Sequence, residues 1–361
     1  MREKVRVLVT GVGGGGNGEQ FIKTLKMAKT PYYIVGTDIS PFSSGLYEVD
    51  EGHIVPPATH PDYVAAILEL CTKRSLQVLM TGSEPELQVI ATHRNLFHQA
   101  GILVLMNNGR LIESCLDKHE TYSLLKQNGF TVPESYLIGT RDEADSIPDA
   151  MFPVIVKPSG SGGGSRHTYI AQDRDELVFF VLYIMKDGLS PFVQEYVGTP
   201  DDEYTIGVLH TLDGVFVNSI AVKRNLTSGL SVKLKVRNRT GKEYLSPSLV
   251  VSSGYSQGFI DTFPAVTGPC EAVAGALGSE GPLNIQCRFM GGKAYVFEIN
   301  PRFSGTSSLR AMVDFNEPDI LIRHHLLKEP VTPRFSYGKG MIIRGLREML
   351  IPDTEKKKGN S

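Results

Sequence analysis

Between residues 5 and 106, short β-branched runs alternate with stretches in which apolar positions recur every three to four residues. The runs at 5–10 (VRVLVT), 32–38 (YYIVGTD), 76–80 and 102–106 predict buried strands, and the stretches at 19–28 and 62–73 predict helices. In the second helix Val64, Ile67, Leu68 and Cys71 form one apolar face. Such alternation is the pattern of a parallel α/β domain. A boundary falls near 107–112, followed by a helix over 118–128 that Gly129 caps and Pro133 keeps from resuming. From 152 onward strands follow one another as hairpins: PVIVKP, RHTYIAQ, FVQEYV, EYTIGVLH, VFVNSIAV, SVKLKVR, NIQCRFM and KAYVFEIN. Helices over 174–186 and 259–277 interrupt them, so this part reads as antiparallel α+β. His324 and His325 fall on a further amphipathic helix, and 355–361 is a polar tail.

Composition narrows the partners. The chain has 361 residues, 41% of them hydrophobic and 21% charged, with a net charge of −2. These values suit a soluble protein of several subdomains and give no general basic field for nucleic acid or anionic lipid. Cys71, Cys115, Cys270 and Cys287 lie far apart with no C-x-x-C spacing, which predicts free buried thiols and a cytoplasmic location. No run of 18 apolar residues or secretory leader pattern is present, so no membrane is expected as a partner.

Three segments carry chemistry. In VFEINPRFSG, Glu298 and Asn300 are two apart on a strand and share a face, a carboxylate and an amide carbonyl suited to a hard cation. Gln286 on the preceding strand joins them if it stands opposite Glu298, which in a regular hairpin requires a three-residue loop, 291–293; a two-residue loop would set Gln286 against Phe297. Arg302 then lies where it could neutralise phosphate oxygens. In FPVIVKPSGSGGGSR, Lys157 ends an apolar strand, where burial is costly without an anion. The tract Gly160, Ser161, Gly162, Gly163, Gly164, Ser165 could close backbone N–H groups over phosphates, and it lacks the G-K-[ST] ending of a P-loop. In FVQEYVGTPDDEYT, backbone groups near Glu195 and Val197 are free to meet an adenine edge, and Glu203 could accept from ribose hydroxyls, although an acidic turn is also commonly just a solvated loop.

Asp117-Lys118, PVIVKPSGSGGGS, VQEYV with Glu203, Gln286 and FEINPRFSG occur in the order found in the ATP-grasp superfamily, and the chain resembles one ATP-binding unit of the carbamoyl phosphate synthase large chain. The resemblance implies a half-Rossmann, pre-ATP-grasp domain (1–112), then an ATP-grasp fold of two α+β subdomains, one with a glycine-rich lid (113–192) and one with the metal site (193–335), and a C-terminal strand and tail (336–361). It implies that Lys118, Lys157 and residues 160–165 contact ATP phosphates, and that Gln194, Glu195, Val197 and Glu203 hold adenine and ribose. It further implies that Gln286, Glu298 and Asn300 hold two Mg²⁺ ions, or Mn²⁺, with Arg302 beside the reacting phosphate. Where the synthase has a second arginine after N-P-R this chain has Gly305, and it has one unit where the synthase has two. The expected activity is therefore that of a stand-alone carboxylate-amine ligase working through an acyl phosphate on small-molecule substrates, with a homodimer as the family habit.

Two segments remain. Gly11, Gly13 and Gly16 fit G-x-G-x-x-G with Asp38 at the end of the next strand, which offers the rival of an NAD(P)-dependent oxidoreductase; in the ATP-grasp reading that loop faces substrate. A non-catalytic ATP-binding regulator is the other rival. Arg224 is a candidate for gripping a substrate carboxylate or acyl phosphate, whereas Lys233, Lys235 and Arg237 alternate along a strand whose edge they would protect by charge.

Overall fold

The computed structural model describes residues 3–160 and 167–351. Its first unit is a parallel sheet in the order β3-β2-β1-β4-β5, built from β1 (Val5–Val9), β2 (Tyr32–Asp38), β3 (Glu51–Ile54), β4 (Val78–Met80) and β5 (Leu103–Val104). Helices α1 (Asn17–Met27), α2 (Tyr63–Lys73), α3 (Glu84–Thr92) and α4 (Arg94–Gln99) connect the strands. Strand β3 was not expected, because EGHI carries no apolar alternation. It is held at the edge of the sheet by backbone pairing with β2 and by the Glu51–Arg74 ion pair.

Short α5 (Gly109–Ser114) leads to α6 (Lys118–Gln127), whose N-cap Asp117 accepts from the Glu120 N–H. The next sheet, β6-β9-β7-β8, is antiparallel and comprises β6 (Ser135–Leu137), β7 (Val154–Pro158), β8 (Tyr169–Ala171) and β9 (Pro191–Glu195). Helices α7 (Arg141–Asp145) and α8 (Arg174–Lys186) back it, with Leu177, Val181 and Ile184 of α8 in a core confined to this layer.

A six-stranded antiparallel sheet follows in the order β16-β15-β10-β11-β14-β17: β10 (Glu203–His210), β11 (Phe216–Arg224), β14 (Gly258–Asp261), β15 (Pro282–Met290), β16 (Lys293–Asn300) and β17 (Gly340–Ile342). The hairpin β12 (Val232–Arg237) and β13 (Ser248–Ser252) leaves this sheet and packs Leu249 against Ile155 and Ile170 of the preceding one. Lys233, Lys235 and Arg237 are exposed and alternate with half-buried apolar residues, as the pattern predicted. The helix expected over 259–277 begins only at α9 (Pro264–Ala276). Its first residues instead form β14, where Gly258 has a φ of 145° and pairing with β11 claims the backbone. Helices α10 (Ser307–Ala311) and α11 (Glu317–His325), which precede β17, pack against α1 of the first unit.

One apolar core joins the first unit to the six-stranded sheet. Phe21, Ile22 and Leu25 of α1 share it with Phe303, Leu309 and Phe315, and Phe21 meets Phe303 edge to face at 5.6 Å. The four cysteines are free. Cys71, Cys270 and Cys287 are buried, while Cys115 is half-buried. Among the described residues no helix is long and apolar enough to cross a membrane.

Candidate active site

A cleft of about 740 Å³ lies where the three units meet, and nearly every described candidate residue lines it. Its floor is the β10-β15-β16 face. Glu203 stands opposite Arg288, Thr205 opposite Gln286, and Gly207 opposite Asn284; across the next pair Gln286 faces Glu298 and Asn284 faces Asn300. Gln286, Glu298 and Asn300 therefore form one cluster, as the spacing required.

The route to that register differs from the expected one. Met290 pairs with Lys293, so the turn has two residues, Gly291 and Gly292, with φ of 57° and 75°. A tight turn with two positive φ values favours glycine at both positions. Such a turn alone would put Phe297 against Gln286. Instead the pairing passes from Cys287–Val296 to Gln286–Glu298, leaving Phe297 as the extra residue of a β-bulge. The bulge inverts the alternation: Val296 and Ile299 enter the core beneath, whereas Phe297, Glu298 and Asn300 line the cleft. The Tyr122 hydroxyl on α6 lies 2.9 Å from both the Phe297 carbonyl and Gln194 Oε1, and its one proton is shared between these two acceptors.

The amide of Asn300 donates to Glu298 Oε1 at 3.0 Å, so its Oδ1 turns outward and accepts a 3.3 Å contact from Arg302. Among the described residues Gln286 Oε1 accepts a single contact, at 3.4 Å from Arg224. Among the described residues no ion pair reaches Glu298. Three hard oxygen donors facing one cleft make a set that a divalent cation could use.

Opposite this floor, Lys157 is 9% exposed and donates to Gln194 Oε1 at 2.6 Å. Burial, with Lys118 nearby, pulls its ammonium down to about 7 against the opposing pull of Glu298. Lys118 reaches the carbonyls of Ser159 and Gly160, and Asp117 also accepts from the Ser159 hydroxyl. The Asp117-Lys118 pair thus caps α6 and ties down the start of the glycine tract. Gly160 lines the cleft, while Ser161, Gly162, Gly163, Gly164 and Ser165 lie outside the described residues.

Other expectations need correction. Glu203 does not sit in a solvated turn: it is 2% exposed, with Oε1 paired to Arg224 at 3.0 Å and Oε2 to Arg288 at 3.2 Å. Arg224 is correspondingly pinned by Glu203, Ser252 and the Ser253 carbonyl rather than left free for a substrate. Nor is the backbone near Glu195 and Val197 wholly open, since the Glu195 N–H is spent on the Glu134 carbonyl and the Val197 carbonyl accepts from Arg288. Asp38 is likewise committed: Oδ2 accepts from the Gly13 N–H at 2.8 Å and Oδ1 from Ile39, which closes the N-terminal glycine loop and leaves little for a ribose. His325 accepts from the Leu212 N–H and His324 meets the Glu329 carbonyl, both structural uses.

Several lining residues escaped sequence reading. Asn284 and Arg288 flank Gln286 at two-residue intervals, so strand periodicity alone could have nominated them. Glu84, paired to Arg302 at 3.0 Å, comes from the first turn of α3 and carried no sequence signal.

Residues 7–105 match the family described as PylC-like, N-terminal domain, and residues 250–345 match ATP-grasp in the biosynthetic pathway with Ter operon. The chain is 25% identical over 295 residues to the carbamoyl phosphate synthase large chain of Thermoplasma acidophilum, covering 79% of this chain and 26% of that one. It thus spans about a quarter of the length of the curated relatives it matches. The biotin carboxylase domain of Hydrogenobacter thermophilus 2-oxoglutarate carboxylase, solved with MgADP and bicarbonate, superposes with a TM-score of 0.63 at 16% identity, over 93% of this chain and 72% of that one. The L-amino acid ligase of Bacillus licheniformis gives 0.62 at 14% identity, over 90% and 74%. The leading parallel sheet is thus similar to PylC-like N-terminal domains, and the stretch that bears Glu298 and Asn300, with Gln286 on the strand beside them, is similar to an ATP-grasp family.

Proposed function

We propose that this protein is an ATP-dependent carboxylate-amine ligase that works through an acyl phosphate and releases ADP and phosphate. The observation that carries the reading is the facing of two sets of groups across one cleft: Lys157 and Lys118 on one side, Gln286, Glu298, Asn300 and Arg302 on the other. Phosphoryl transfer asks mainly for positioning and neutralisation of charge, and these groups offer both.

Gln286, Glu298 and Asn300 fit Mg²⁺, since their oxygens are hard donors and Glu298 has no ion pair among the described residues. Bound there, two ions of Mg²⁺, or Mn²⁺ in their place, would neutralise the polyphosphate. Lys157 and Lys118 would hold phosphate oxygens beside Gly160, and the Gln194–Val197 segment would receive the nucleoside next to the Glu203–arginine cluster. A substrate carboxylate oxygen then attacks the γ-phosphorus as the bond to the β,γ-bridging oxygen breaks, and ADP leaves. An amine nitrogen attacks the acyl carbon, the carbon–oxygen bond to phosphate breaks, and the amine proton passes to phosphate or solvent. Arg302 stabilises the charge on the acyl phosphate, while Arg224 keeps Glu203 in place.

The substrate end of the cleft is walled by Gly15, Ser83 and Glu84 of the first unit and by Tyr255 and Gly305. Glu84 is the acidic group there, and a substrate carboxylate on Arg302 would free it to accept an ammonium. Glu84→Gln is expected to raise the KM for the amine about tenfold and leave the KM for ATP within twofold; equal changes in both would remove Glu84 from amine recognition. Dimerisation, seen in the Hydrogenobacter domain, is part of the same proposal.

The test is a screen of amino acids and peptides for ATP-dependent phosphate release. Release that needs both a carboxylate and an amine, with ADP as coproduct, supports the reading; turnover to AMP sinks it. The oxidoreductase alternative draws no support, because Asp38 is committed to its own loop.

A further inference from the structure

Asn284 stands on the cleft face of β15, two residues from Gln286 and opposite Asn300. It is 3% exposed and lines the cleft. An asparagine can present either its carbonyl or its amide to a ligand. Here the choice is made by the surroundings: Oδ1 accepts from Thr205 Oγ1 at 3.0 Å and from Arg310 Nη2 at 2.8 Å. Both lone pairs are used, and no hydrogen bond from Nδ2 is made among the described residues. The amide nitrogen is left to face the cleft, as a donor rather than a metal ligand.

The second anchor is unusual. Arg310 has no exposed surface and is held by two hydrogen bonds from Nη1 to Glu317, at 3.0 and 3.2 Å, with Glu317 1% exposed and also accepting from Ser307. Space for the pair exists only because residue 207 is glycine, whose added Cβ would lie 2.2 Å from Arg310 Nη1 and 2.8 Å from Glu317 Oε1. Among the described residues the buried Nε of Arg310 has no partner. A buried ion pair with an orphaned N–H is a poor device for stability, because apolar side chains of similar volume commonly do as well or better. What this one achieves is orientation, and its positive end polarises the Asn284 amide toward stronger donation.

We infer that Arg310, braced by Glu317, is a positioning residue that fixes the Asn284 amide as a hydrogen-bond donor to an oxygen of the transferred phosphoryl group. This rests on the phosphoryl-transfer reading above. Asn284 would be the group that touches the phosphoryl, and Arg310 acts only through it.

The test uses the full chain with Mg-ADP and beryllium fluoride as a phosphoryl mimic, read by calorimetry, together with steady-state kinetics. Asn284→Ala is expected to leave the Kd for Mg-ADP within twofold while weakening fluoride trapping and lowering kcat about 100-fold. The paired change Arg310→Met with Glu317→Leu, which leaves no lone buried charge, is expected to weaken trapping about tenfold. Adding Asn284→Ala to that pair should then cost less than it does alone. Thr205→Val removes the other anchor without touching the ion pair, and a several-fold loss of trapping there keeps the inference testable should the paired variant not fold. Wild-type trapping by Asn284→Ala, or strict additivity in the combined variant, overturns the inference alone. Failure of the wild type to bind Mg-ADP would overturn the ATP reading and this inference with it.

Discussion

Glu298→Gln should fold as the parent does, bind ADP and release phosphate from ATP about 10²–10³ times more slowly. Glutamine keeps the shape and the hydrogen bond that Asn300 donates to Oε1, so the hairpin has no reason to rearrange. What it removes is the single formal charge among three oxygen donors, and with it the field that would hold a divalent cation against the polyphosphate. A phosphate-release assay beside ADP calorimetry checks both halves. Unchanged release would take the hairpin out of the chemistry, whereas loss of release with ADP binding kept separates a catalyst from a protein that only binds nucleotide.

The second large effect is a proton taken up with the nucleotide. In the free protein Lys157 is pulled down to about 7, by burial first and then by Lys118. A polyphosphate beside it favours the ammonium, so the bound-state value is higher than the free one. Between those values binding must bring a proton, and affinity for ATP is full below pH 7 and falls as pH rises above it, until the bound-state value is passed. Calorimetry at pH 8 in buffers of different ionisation enthalpy should show uptake approaching one proton per site. Lys157→Met should abolish that uptake and weaken ATP binding roughly 10–100-fold, the range of a lost charge-assisted hydrogen bond. Equal heats in all buffers with the wild type would mean that this lysine is already charged before nucleotide arrives.

Much of the site could be read before any coordinates, because its donors sit at strand spacing and strands have a fixed parity. Gln286, Glu298 and Asn300 were legible for that reason, and Lys157 because an ammonium at the end of an apolar strand needs an anion. The register of the hairpin was legible only in outcome. A count of residues around Gly291 and Gly292 demanded a longer turn, and nothing local in VFEIN announces that Phe297 is extra; the bulge is set by the core below, which takes Val296 and Ile299, and its carbonyl meets Tyr122 of a distant helix. Tertiary partners also explain the other misses. Glu203 looked like part of a solvated acidic turn because Arg224 and Arg288, which enclose it, are 21 and 85 positions away. The leading strands were clear in VRVLVT and YYIVGTD, while EGHI became a strand only through its neighbour and the arginine that caps the C-terminus of the next helix.

The core that runs from Phe21, Ile22 and Leu25 into Phe303, Leu309 and Phe315 bears on how such a protein could be re-engineered or could diversify. In the proposed ligase the substrate end of the cleft is walled partly by the first unit, so exchanging that unit is the direct way to alter what such an enzyme accepts. The shared core makes the two a single block of inheritance. A graft that brings new Gly15, Ser83 and Glu84 equivalents but a polar α1 face would strip the floor of its support. The same graft with Phe21, Ile22 and Leu25 retained could change specificity and leave the Gln286–Glu298 hairpin undisturbed.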